Sequence, residues 1–313
     1  MLISLLGVVG AALLAGLGTL WAGRLEHRRA PVSAGLFVVA AGTLATLIAY
    51  VSLPFPPNVT PLVVGVAGLV VALVGWRDGK QPIPPVARWL IGGAMVGLVA
   101  GFGVPFFLLR TNLGFPAPTP ILILTVALAG ALWLIAFRSL HAVSVVVAGT
   151  ALAIVLGALV VMGSTLALAF NRPEFWWLAG LAGAIGGYMT VSGPIGSIRL
   201  GKMAVDYLGL TIFALALVTI AFGWIGLVPW LLLLAVPIVD AAIAFGARRG
   251  APHVGVAARL KSDGKAALAY GAVTLLYLLP LALLAQMQPG WAMPALLAGY
   301  VPPVVIGLLQ ASR

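Results

Sequence analysis

The sequence predicts an all-helical, polytopic integral membrane protein, and three observations carry that expectation. Hydrophobic residues make up 63% of the 313 positions and charged residues only 7%. The mean hydropathy is +1.19, far above what a soluble domain shows. The apolar residues also fall into runs of the length a bilayer demands, about 20 residues for a helical span.

Eleven such runs follow one another: 2–22, 31–54, 58–76, 87–110, 117–137, 140–168, 175–197, 203–224, 227–246, 265–285 and 290–311. Helix is the form expected of each, since a single strand cannot satisfy its backbone groups in lipid. The longest polar connection is ARRGAPHVGVAARLKSDGK, 247–265. That leaves one transmembrane domain over 1–313, with no soluble domain, linker or low-complexity tail.

Loop cations set the expected orientation, because Lys and Arg collect on the cytoplasmic side. Placing the N-terminus outside and the C-terminus in the cytoplasm leaves only Arg110 and Arg172 outside, of 17 Lys and Arg in all. The first run has its cations after it, in RLEHRR, and so reads as an uncleaved anchor and not as a signal peptide. The net charge of +11 is on this reading topological. It favours anionic lipid head groups or phosphates as partners, and not nucleic acid. With no cysteine, disulfides and thiol chemistry drop out. The expected location is the inner or plasma membrane, crossed many times.

So few charges make every ionisable residue near a span a candidate. Glu174, beside Trp176 and Trp177, reads as part of an interfacial aromatic belt, and Glu26 and Asp263 as solvated loop charges. Asp78, Asp206 and Asp240 differ, because each falls at or near the cytoplasmic end of a span, where a carboxylate is costly without a partner. For Asp206 and Asp240, pairing with Lys202 or an arginine competes with contact to a ligand. His27, His141 and His253 are too scattered to predict a metal site. The run GLAGAIGG reads as glycines spaced for close helix packing.

Five segments, in order, carry a family resemblance. They are EHRRAPVSAGLFVVAAGTLATL, VVALVGWRDGKQPIPPVARWLIGGAM, ALWLIAFRSLHAVSVVVAGTAL, GKMAVDYLG, and LLLLAVPIVDAAIAFGARR with the following GVAARL. Their order and context resemble the polyprenyl-phosphate N-acetylhexosamine-1-phosphate transferases, the superfamily of the phospho-N-acetylmuramoyl-pentapeptide transferases and the UDP-GlcNAc:undecaprenyl-phosphate transferases. The resemblance implies the fold of those enzymes, which move a phospho-sugar onto a lipid phosphate at the cytoplasmic face with magnesium, in cell-envelope synthesis.

The residues that do the chemistry depart from that pattern. The family's Asp-Asp pair stands here as Arg77-Asp78, and its Asn and Asp ligands of the fifth helix as Arg138, His141 and Ser144. The Asp of its Gly-Asp-x-Gly-Ser stands as Lys202, between retained Gly201 and Gly209, and its paired histidines as Ala257 and Ala258. Asp78 and Asp240 keep acidic positions, while Asp206 is out of register by four residues.

The expectation is therefore a pseudoenzyme without metal or other cofactor. Arg77, Arg138, His141, Arg199 and Lys202 would form a shared pocket for a lipid phosphate, with a polyprenyl phosphate, a partner enzyme of envelope synthesis or a second copy of the chain as partners. The same cations also satisfy the positive-inside rule with no ligand at all. Two further readings stay open: an active, magnesium-dependent transferase rearranged around Asp78, Asp206 and Asp240, and a transporter or flippase-like protein sharing only topology. The spans carry few charges away from their ends, which disfavours an ion path.

Overall fold

A computed structural model describes residues 2–26, 34–52, 59–104, 119–140, 144–165, 169–195, 200–246 and 263–311. Among the described residues the regular structure is all helical. In chain order the helices are α1 Leu2–Glu26, α2 Gly35–Ser52, α3 Thr60–Lys80 and α4 Pro85–Leu98 with a π turn over Val99–Gly103. Next come α5 Thr119–Ser139, α6 Ser144–Thr165, α7 Pro173–Ile195 and α8 Gly201–Ala221. The last are α9 Leu227–Leu233, α10 Ala235–Gly246, α11 Asp263–Ala272, a π segment Val273–Leu278, α12 Leu279–Met287 and α13 Ala292–Ala311.

Seven of these stretches are long and apolar enough to cross a membrane: Ser4–Ala22, Thr60–Lys80, Pro85–Gly103, Pro120–Ser139, Ser144–Thr165, Gly201–Ala221 and Gly264–Met287. Helices α2, α7, α9–α10 and α13 occupy the other four runs expected from the sequence. Prolines explain two irregularities. Pro237 lacks an amide hydrogen and its ring crowds the carbonyl four residues back, where α9 gives way to α10 at Leu233–Leu234. Pro280 stands in the same relation to Leu276, inside the π segment.

Helix α8 is the most deeply buried of these seven stretches. Nearly all of its residues are buried, and it packs against α2, α3 and α5. The outer helices turn Leu, Val and Trp side chains outward instead, among them Leu13, Leu17, Leu62, Leu73, Leu124 and Leu128. That inside-out distribution suits a lipid solvent, in which exposed leucine costs nothing.

Close approach is secured by small residues. The expected packing role of GLAGAIGG is met between α1 and α7, where a Cβ on Gly187 would lie 2.1 Å from the Ala12 carbonyl oxygen and one on Gly183 2.8 Å from that of Val8. Tyr207 of α8 lies against Gly42 of α2 and Gly68 of α3, and its hydroxyl meets Thr43 Oγ1 at 3.1 Å. Helix α8 ends at Gly223, whose φ of 70° lets its amide donate back to Ile220 at 3.0 Å and that of Trp224 to Thr219 at 2.9 Å.

One expectation is corrected here. Trp176 and Trp177 are buried and so form no outward belt. The reason is local: Trp176 Nε1 donates to the Phe170 carbonyl at 2.7 Å, folding the ring back over the connection that precedes α7. The outward tryptophans are Trp21, Trp76, Trp89 and Trp291, at helix ends.

Candidate functional site, a buried charge cluster at one end of the bundle

The ends of α3, α4, α5 and α8 meet, and five charged side chains meet with them. Asp78 lies in the last turn of α3, where the helix dipole disfavours an acid. Lys202 lies in the first turn of α8, where the dipole disfavours a cation. Each offsets the other: Lys202 Nζ donates to Asp78 Oδ2 at 2.8 Å and reaches the Asp78 carbonyl oxygen at 3.2 Å, one of the acceptors that the end of α3 leaves unpaired.

Two arginines complete the shell. Arg88 Nη1, from the first turns of α4, donates to the same Asp78 Oδ2 at 2.9 Å. Arg138 Nη2, at the end of α5, also donates to Asp78 Oδ2, while its Nη1 pairs with Asp206 Oδ2 at 3.3 Å. The other carboxylate oxygen, Asp78 Oδ1, accepts the Ile83 amide at 2.9 Å. That bond closes the α3–α4 turn, in which Pro82, Pro84 and Pro85 have no amide hydrogen to give.

Two glycines make the geometry possible. At Gly75 a Cβ would sit 2.6 Å from Asp206 Oδ2 and 2.8 Å from the Lys202 carbonyl oxygen, so α3 and α8 cross here at backbone distance. Gly201 enters α8 with φ of 76°, a conformation L side chains rarely adopt. Gly209, the other glycine shared with the resembled motif, gives its carbonyl to Trp133 Nε1 at 2.8 Å and faces Leu134 and Phe137 of α5.

Burial is layered. The side chains of Asp78 and Asp206 keep 1% and 8% of their surface exposed, those of Arg138, Arg88 and Lys202 20%, 24% and 35%. The acids form the floor and the cations the rim. Among the described residues, three cations over two carboxylates leave one net positive charge, in a setting where stranding any one charge is expensive.

The residues singled out from the sequence divide accordingly. Asp78, Arg138, Lys202 and Asp206 come together, with Asp206 paired to an arginine. Arg77 is exposed and stands outside the cluster, because neighbours on a helix point about 100° apart. Asp240 is buried and accepts the Tyr270 hydroxyl at 2.6 Å, which ties α10 to α11. His141 and Arg199 lie outside the described residues, as do Ala257 and Ala258.

Arg88 was legible only as one more loop cation. The signal for its role was an acid and an arginine flanking a turn with three prolines between them, the pattern of a short helical hairpin closed by an ion pair.

The resemblance implies magnesium, and the donor set here does not suit it. Magnesium needs several hard oxygen ligands in near-octahedral geometry. Asp78 Oδ2 is already ringed by three cationic donors and Asp206 is paired to Arg138, so a divalent ion would meet repulsion where it needs ligands. No family model matches this chain, and no curated protein matches it.

Proposed function

We propose that this chain is a non-catalytic membrane protein related to the phospho-sugar:polyprenyl-phosphate transferases, and that it holds a lipid phosphate at the charge cluster. The observation that carries this reading is the layering of the site. Partly exposed Arg88, Arg138 and Lys202 stand over buried Asp78 and Asp206, presenting charge-assisted donors to an anion arriving from the helix ends. Among the described residues both carboxylates of the cluster are held by cations, which disfavours either as the base that activates a nucleophile.

On this reading the chain spans the inner or plasma membrane eleven times, with its N-terminus outside. The cluster then lies at the cytoplasmic end, the side to which the ends of α1 and α3 bring Arg24, Arg77 and Lys80. Arg172, just before α7, falls on the other side. A polyprenyl phosphate is the ligand favoured, since its chain can run along the apolar outer helices while its phosphate meets the rim.

Native mass spectrometry of the purified protein tests the binding. A polyprenyl phosphate should co-purify, and Lys202→Ala should reduce its retention on the order of tenfold, the effect of one charge-assisted hydrogen bond of about 1.5 kcal/mol. Incubation with a UDP-sugar, polyprenyl phosphate and magnesium should give no chelator-sensitive turnover. Such turnover would replace this reading with that of an active transferase rearranged around Asp78, Asp206 and Asp240, and either a protein that co-purifies no polyprenyl phosphate or retention that Lys202→Ala leaves unchanged would remove the lipid phosphate.

A further inference from the structure

We infer that the point where Arg88, Arg138 and Lys202 meet is an anion seat that Asp78 fills as an internal ligand, and that a phosphomonoester displaces the carboxylate to bind. The inference rests on the reading that this cluster receives a phosphate, and adds how the seat is kept and what charge it takes.

The geometry at Asp78 is lopsided. Its Oδ2 takes donors from Arg88, Arg138 and Lys202, which come from three different helices, while among the described residues Oδ1 takes only the Ile83 amide. A carboxylate oxygen offers about two lone-pair directions, so three cationic donors on one oxygen exceed what it can pair well. A phosphate group has three terminal oxygens and can give each cation its own.

Charge points the same way. The three cations face one carboxylate charge at this point, whereas a phosphomonoester carries about −1.5 to −2 at neutral pH. Asp206 neutralises part of Arg138 from the floor and leaves Arg88 and Lys202 for the ligand. Access is from the rim, because the cations are the exposed members of the cluster and Asp78 the covered one.

Asp78 is also placed to move aside. It is in the last turn of α3 and is followed by Gly79, at which a Cβ would meet nothing within 4 Å. A helix end opens more readily than a helix middle, and the Ile83 amide offers the displaced carboxylate a continuing partner.

Two probes distinguish the sources of phosphate: inorganic phosphate, and a short-chain polyprenyl phosphate in the same detergent. The full chain is compared with Asp78→Ala and Asp78→Asn at constant ionic strength, reading the thermal midpoint and the dissociation constant. Both variants should bind inorganic phosphate at least tenfold more tightly than the unaltered chain, regain thermal stability with phosphate but not with chloride, and lose most of this gain on adding Arg88→Met. The polyprenyl phosphate should follow the same order.

Each variant leaves Arg88 and Lys202 without a carboxylate, so a charge-balanced pair guards the test against loss of the fold. Asp78→Asn with Lys202→Met should bind inorganic phosphate more tightly than Lys202→Met alone. Equal phosphate affinity with and without Asp78, in the single variants or in this pair, overturns the seat. If the unaltered chain retains polyprenyl phosphate yet the Asp78 variants gain nothing, the seat falls and the lipid reading stands. If the variants gain phosphate while no form retains the lipid, the seat stands and the lipid reading falls.

Discussion

Arg138 is the cluster's bridge, and replacing it isolates one energetic quantity. Its two terminal nitrogens hold Asp78 and Asp206 at once, and among the described residues it is the ion-pair partner of Asp206. Arg138→Met leaves Asp78 with Arg88 and Lys202 but strands Asp206, whose side chain is 8% exposed. Leaving a buried charge unpaired costs about 3–5 kcal/mol. At about 2 °C per kcal/mol for a chain of this size, the thermal midpoint in detergent should fall by about 6–10 °C. Adding Asp206→Leu removes the stranded charge, and replacing a buried pair by apolar groups is often close to neutral. The double variant should therefore recover at least half of the loss, a coupling of about 2 kcal/mol or more. Scanning fluorimetry of the four proteins in one detergent reads the cycle. A double variant as unstable as Arg138→Met, or single variants that change nothing, would refute the assignment of Arg138 as the charge that makes Asp206 tolerable.

Neighbouring glycines of α7 should behave oppositely: Gly187→Ala pushes a methyl into the Ala12 carbonyl and should cost about 1–3 kcal/mol, whereas Gly186→Ala meets nothing within 4 Å and should be neutral or stabilising by up to about 1 kcal/mol. Paired thermal midpoints check this, and equal effects would contradict the α1–α7 approach. Thr219→Val keeps shape but deprives Trp230 Nε1 of its acceptor at 2.7 Å, so unfolding free energy should drop by about 1–3 kcal/mol, with a change in tryptophan emission. Reporter fusions at 55–58 and 287–290, stretches without Lys or Arg, should read as external, and a cytoplasmic signal at either would end the proposed topology.

Much of the architecture could be read from the sequence because a span announces itself by length alone. What could not be read is which span stands in the middle. Beyond its first turns, which carry Lys202 and Asp206, helix α8 is almost wholly apolar, as are the helices with outward leucines, so periodicity does not separate a helix buried in protein from one bathed in lipid. In the cluster, Asp78 and Asp206 stood out in the sequence because charges near spans are rare, and Arg138 and Lys202 because they occupy motif positions of the resembled family. The sequence offered Asp206 an arginine or Lys202 as partner, but not Asp78 its Lys202, which lies 124 positions away. Arg77 and Arg88 show the same limit: both are cations beside Asp78 in the sequence, yet the helix turns the adjacent one away and the α3–α4 turn brings the distant one back. Gly75 gave no signal, because its meaning lies wholly in the backbone of α8 beside it.

The central place of α8 has a consequence for biosynthesis. Its main neighbours α2, α3 and α5 all precede it in the chain, so they enter the membrane before the helix they surround. Until α8 arrives, Asp78 lacks Lys202, and the small-residue faces of α2 and α3 at Gly42 and Gly68 have lipid where Tyr207 belongs. Nascent chains stalled just before and just after α8 should therefore differ in lifetime, since the arrival of α8 gives Asp78 its Lys202 and covers Gly42 and Gly68.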